Sequence, residues 1–201
     1  MRTAAGRAAR LEPLGVMKTL AICGSLRAAS INAALLRAAA RLSPPEMQVR
    51  QLSRLGELPL FSPDLEHHLP VQIAAYHVEV ASADALLIAS PEYAHGVTGA
   101  IKNALDWLVS FEPFINKPVA VLNASPRAHH ADDALRETLR TMSAVVVEQA
   151  SIPIPLLGAH LTEDGMVEHP TISHAIRGAL EALYSFVVLR RHEQGPNFPI
   201  A

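Results

Sequence analysis

The chain has 201 residues, half of them hydrophobic and 18% charged, which is enough apolar surface for the core of one ordinary domain, with some left over for a subunit interface. A formal net charge of −2 gives no attraction to nucleic acid or to an anionic membrane surface, and no apolar run reads as a membrane span. The single cysteine, Cys23, excludes an internal disulfide framework and fits a reducing cytosol, so a cytoplasmic location is expected.

Arg2, Arg7 and Arg10 stand among alanines with one acid, Glu12. That composition is shared with organelle transit peptides, but residues 1–16 read more simply as a disordered extension or a start upstream of Met17. The folded domain is expected over 17–192. Strand 1 is Thr19–Cys23, followed by a polar turn that opens on Gly24 and leads into a helix from about Ser30, its N-cap, to Leu42. Ser43-Pro44-Pro45 stops that helix, and Met47–Leu52 alternates as strand 2. The loop Gly56–Pro63 is expected to fold Leu58, Leu60 and Phe61 back as plugs. Helix 2 runs from Pro70 to about Ala83, and strand 3, Ala85–Ala89, is apolar throughout, as a central parallel strand buried on both faces should be. A loop from Ser90 to Thr98 precedes helix 3, Gly99 to about Ser110. Strand 4 is Val119–Leu122, and the loop Asn123–His130 leads to helix 4, about Ala131–Ser143, and strand 5, Ala144–Val147. Ser151–Pro170 is irregular, with a turn at Asp164-Gly165, before a last helix from Thr171 to about Arg191 and a tail over 193–201.

Strands alternating with helices predict a three-layer α/β sandwich with right-handed crossovers. For the flavodoxin-like strand order 2-1-3-4-5, the ligand crevice lies at the carboxyl ends of strands 1 and 3, where the winding reverses. The turn after strand 1 is suited to an anion. Free N–H groups at the helix start point outward, and Ser25, Arg27, Ser30 and Asn32 add hydroxyls, a guanidinium and an amide. The chain has no Gly-x-x-x-x-Gly-Lys-Ser/Thr and no Gly-x-Gly-x-x-Gly, so neither a nucleoside-triphosphatase loop nor a dinucleotide fingerprint is present. A terminal phosphate monoester fits this turn better. Read without a ligand, Ser25 and Ser30 are ordinary turn and cap residues.

The second loop, Ser90-Pro91-Glu92-Tyr93-Ala94-His95-Gly96-Val97-Thr98-Gly99, with its continuation to Asp106-Trp107, resembles the signature of the NAD(P)H-dependent FMN reductase family, which includes related quinone and azo-dye reductases. The Gly24 to Asn32 turn resembles that family's Gly-Ser-Leu-Arg-x-x-Ser-x-Asn phosphate loop, and the likeness extends over roughly 18–190. The resemblance implies a flavodoxin-like five-stranded parallel sheet and non-covalent FMN. It assigns the phosphate to Ser25, Arg27, Ser30 and Asn32, and the isoalloxazine border to Pro91, Glu92 and Tyr93, largely through backbone groups. Two departures stand out. Ala94 occupies a position that is usually Asn, which removes one side-chain hydrogen bond to the flavin or its ribityl arm. The third loop, usually glycine-rich, here reads Asn123-Ala124-Ser125-Pro126-Arg127-Ala128-His129-His130, so the ring's pyrimidine edge falls to Ser125 and Arg127.

His95 is a candidate to meet substrate or nicotinamide, while Trp107 reads as core or interface. His129, His130, Asp132 and Asp133 are metal-ligand types, but adjacent side chains diverge and no His-Glu-x-x-His accompanies them, so they read as a solvated helix start. No Gly-x-Ser-x-Gly elbow supports serine hydrolysis. The expected activity is hydride transfer from NADPH or NADH to bound FMN, then to a flavin, quinone, azo or similar small-molecule acceptor in ping-pong order. No side-chain acid or base is expected to be indispensable, and a homodimer or homotetramer is expected to complete the site. The alternative is a flavodoxin-type electron carrier without nicotinamide reactivity, for which a strongly acidic docking face would be expected.

Overall fold

A computed structural model describes residues 15–125, 127, 129–156 and 161–194. Most of the expected extension over 1–16, and the tail beyond residue 194, lie outside the described residues.

Strand β1 (Met17–Cys23) pairs in parallel with β2 (Met47–Gln51) on one side and β3 (Ala85–Ala89) on the other. Strands β4 (Pro118–Val121) and β5 (Val145–Val146) extend the sheet, giving the order β2-β1-β3-β4-β5. Every pairing is parallel, so the winding reverses beside β1 as expected for the flavodoxin-like order.

The twofold period of the strands sorts their side chains onto two different faces. Ala21, Cys23, Ala85, Ala89 and Ala120 are small and face α1 (Ile31–Leu42), α5 (Glu163–Glu168) and α6 (Pro170–Gln194). Leu20, Ile22, Leu86, Ile88, Val119 and Val121 are larger and face α2 (Val71–Ser82), α3 (Gly99–Asp106) and α4 (His129–Thr141). On α1 the buried Leu35, Leu36, Ala39 and Leu42 form the core stripe.

Four local differences from expectation have physical causes. Helix α3 ends at Asp106 rather than Ser110, because Trp107 turns inward, its Nε1 donating to the Pro59 carbonyl at 2.8 Å, and Leu108 N tightens onto Leu105 O. Asp164-Gly165 lies inside α5, not in a turn. Thr162 caps that helix by accepting from Gly165 N, and Glu163 and Asp164 pair with Arg37 and Arg41 of α1. Leu60 is 82% exposed and is no plug, whereas Leu58 and Phe61 do pack against the core. Finally, α6 is by length and composition apolar enough to cross a membrane over Pro170–Glu193. One side of it, through Ile176, Leu180 and Leu183, is buried against α1 and the sheet, as a core helix would be.

Candidate active site

In a parallel sheet all the strands end at the same edge, so the loops after β1, β3 and β4 share one crest. Gly24 joins the first two. Its N–H donates to Ala89 O at 2.9 Å and its carbonyl accepts from Thr98 Oγ1 at 2.7 Å. A Cβ at this position would lie 2.6 Å from the Ser90 Cβ, so the approach requires glycine. Thr98 also caps α3, accepting from Ile101 N. The same threonine thereby fixes a helix start and the loop beside it.

Within the first loop, Ser30 Oγ accepts from Ala33 N at 3.2 Å and caps α1, as its position in the sequence indicated. Ser25 Oγ accepts from Arg27 N. Asn32 is only 4% exposed, and its Oδ1 is buried without a partner. An orphaned buried amide oxygen is costly, and turning the group by half a revolution presents Nδ2 in its place.

The second loop folds back as a two-residue hairpin. Tyr93 and Gly96 exchange both backbone hydrogen bonds, at 3.1 and 3.0 Å, around Ala94 and His95 with φ of 50° and 59°. Both residues are therefore left-handed, as in the turns that suit hairpins. Tyr93 is 59% exposed on this hairpin. Glu92 points elsewhere: its Oε2 accepts from Ala131 N at 2.9 Å and so caps the start of α4. The third loop is shaped by Asn123, whose Oδ1 accepts from Ser125 N, and by Ser125, whose Oγ accepts from Arg127 N. Pro126 and Ala128 lie outside the described residues. His95 stacks on His130 with ring centroids 4.4 Å apart, and His130 meets His129 at 4.0 Å, so the imidazoles tie the second loop to α4.

A cavity of about 300 Å³ opens between these loops. Of the residues expected from sequence, Asn32, Pro91, Glu92, Ser125 and Arg127 line it. Ser25, Arg27 and Ser30 belong to the loop that leads into its wall, and Tyr93 and Ala94 to the hairpin beside it. Ile31, Ser90, Asn123 and Ala124 also line it and were not picked out from sequence. Only Asn123 had a readable signal there, as a polar residue placed at a strand end.

The charges around the cavity are unusual for this molecule. Among the described residues, Arg37, Arg41, Arg50, Arg54, Arg136, Arg140 and Arg191 each meet a carboxylate. Arg177 and Arg190 each donate to a carbonyl oxygen. Arg27 and Arg127, in the first and third crest loops, have neither kind of partner. A guanidinium without an internal acceptor, beside a cavity at a helix start, is placed to receive an anion.

Comparison with known proteins agrees with this geometry. The family profile described as NADPH-dependent FMN reductase matches residues 17–156. An NAD(P)H-dependent FMN reductase of Pseudomonas aeruginosa is 32% identical over 177 residues, covering 85% of this chain and 95% of that protein. A quinone reductase of Escherichia coli is 32% identical over 113 residues, covering 54% of this chain and 60% of that one. Among solved structures, the flavoenzyme NAD(P)H:(acceptor) oxidoreductase FerB of Paracoccus denitrificans superimposes with a TM-score of 0.74 at 25% identity, over 87% of this chain and 98% of that one.

Proposed function

Because the chain belongs to the NADPH-dependent FMN reductase family, we propose that it is an oxidoreductase which holds FMN in the crest cavity and moves electrons from NAD(P)H to a quinone, flavin, azo or similar acceptor. The observation that carries this reading is that the turn opening α1 holds both Arg27, without a side-chain partner among the described residues, and the buried Asn32, whose Oδ1 is unsatisfied. Those two groups, with Ser25 and Ser30, supply a charge, an amide and two hydroxyls to a terminal phosphate. Ser30 can donate its proton to that phosphate while its oxygen continues to accept from Ala33 N.

Bound FMN supplies the redox chemistry, accepting hydride from NAD(P)H and releasing electrons to the acceptor. The protein's own groups do the rest. Gly24 lets the first two loops close on each other, and Pro91, Glu92, Tyr93 and Ala94 border the ring mainly through backbone groups. Glu92 spends its carboxylate on the start of α4 and so fixes the third loop beside the second. Ser125 and Arg127 reach the ring's pyrimidine edge. With no side-chain acid or base required, donor and acceptor use one open face in turn, which gives ping-pong kinetics.

A homodimer or homotetramer, in the cytoplasm, completes the proposal. Leu26 and Tyr93, in the first and second site loops, are large and exposed, as expected of a rim covered by a second subunit.

The test is anaerobic mixing of FMN-loaded protein with NADPH and with NADH. Rapid loss of the flavin's visible absorbance, and parallel double-reciprocal plots against a quinone, are expected. A flavin that stays yellow with both donors would leave an electron carrier and end the reductase reading.

A further inference from the structure

Arg127 lies in the third crest loop, lines the cavity, and has no counter-ion among the described residues. No carboxylate among the described residues forms an ion pair with it, although Glu92 lines the same cavity. The Glu92 carboxylate is engaged by Ala131 N, and Asp132 is paired with Arg136. Asp133 is exposed just after the first turn of α4. His95, His129 and His130 stack along the same rim and add no negative charge, and the amino end of α4 contributes a positive dipole.

From this we infer that Arg127 tunes the redox poise of the bound flavin, favouring the reduced over the oxidised ring and thereby selecting quinone-type acceptors over free flavins. The inference rests on the FMN reading above. Hydride transfer from NAD(P)H adds one hydrogen nucleus and two electrons to a neutral ring. The product carries one negative charge with no proton taken from solvent, and the nicotinamide is oxidised. A permanent cation at the pyrimidine edge stabilises that charge and gains nothing from the neutral ring, whereas the phosphate carries the same charge in both states. Arg27, at the phosphate, therefore raises affinity for both forms alike, while Arg127 discriminates between them. When the reduced ring returns hydride to a quinone, one solvent proton completes the hydroquinone. An acceptor of higher potential is needed to draw electrons from a ring stabilised in this way, and a free flavin, identical to the cofactor but lacking the cation, is the weaker acceptor.

The experiment compares wild-type protein with R127Q, R127K and R27Q. Affinity for oxidised FMN is measured by fluorescence quenching and the midpoint potential by anaerobic equilibration with a reference dye. Because Arg127 is exposed and its side chain has no partner among the described residues, its replacement leaves the fold intact. R127Q is expected to lower the preference for reduced over oxidised FMN about tenfold, a fall of roughly 30 mV for a two-electron couple. R127K retains most of the wild-type potential, and R27Q loses affinity for both forms with its potential unmoved. An R127Q potential equal to wild type, or an R127K potential as low as that of R127Q, would overturn the inference while leaving FMN binding in place. Wild-type protein that fails to quench FMN would remove the FMN reading and this inference with it.

Discussion

The two ends of the sheet differ in how their arginines are partnered. At the base, where the strands begin, Asp84 accepts from Lys18 N at 2.7 Å and pairs with Arg191, and the buried Lys117 donates to Ala83 O at 2.7 Å. Burial pushes the Lys117 ammonium below its ordinary pKa, while the nearby Asp84 pulls it back up. At the crest, where the strands end, the Arg27 and Arg127 side chains have no partner among the described residues and Asn32 Oδ1 is buried alone. The proposed function accounts for this contrast: the paired groups at the base contribute to stability, and those at the crest would be satisfied by a bound phosphate and flavin.

Substitutions at the two ends sharpen that contrast. Replacing Arg27 by Ala should weaken FMN binding by about 1.5–3 kcal/mol, whereas Arg41→Ala, which breaks only the α1–α5 ion pairs, should leave it unchanged. Titration of both proteins with FMN checks this, and a loss at Arg41 as large as at Arg27 would break the comparison. Next is Gly24→Ala, which forces Ser90 aside and should cost about 1–3 kcal/mol of stability in urea. The double variant Gly24→Ala with Ser90→Gly should recover part of that cost, since the obstructing atoms are the Ser90 side chain.

How much of this contrast could be read beforehand varies by element. The alternation of strands and helices follows from periodicity, and the α1 cap at Ser30 from a serine placed before an apolar stripe, both local signals; the strand order 2-1-3-4-5 comes with the family resemblance instead. The closeness of Gly24 and Ser90 is not local, because it arises only when β1 and β3 become neighbours. Nor does any spacing announce that Glu92 reaches Ala131 N, since that bond depends on the third loop's path. The Ala94-His95 turn has no sequence signal because Ala94 stands outside the left-handed repertoire and no glycine marks the turn's central pair. Helix α5 was hidden by an Asp-Gly pair that reads as a turn until Arg37 and Arg41 supply partners from α1.

Two smaller effects complete the series. Ala94→Asn should relieve the left-handed backbone and raise stability by roughly 0.5–1 kcal/mol, read as a higher urea midpoint with the hairpin retained. Away from the crest, the Arg37 and Arg41 guanidinium groups hold the Glu163 carboxyl below its usual range. A depressed folded-state pKa stabilises above the ordinary carboxylate range, and that contribution is lost as pH falls through the folded value. Because its partners are half exposed, the effect should stay below about 1 kcal/mol. Glu163→Gln should flatten the acid limb of stability against pH and leave FMN affinity untouched.

The central claim, that the Gly24–Asn32 turn grips a phosphate, is tested most directly by comparing FMN with riboflavin, which differs only in lacking that group. Wild-type protein should bind FMN at least about tenfold more tightly than riboflavin, and Arg27→Ala should erase most of the difference. Equal affinity for the two flavins in the wild-type protein would contradict the account.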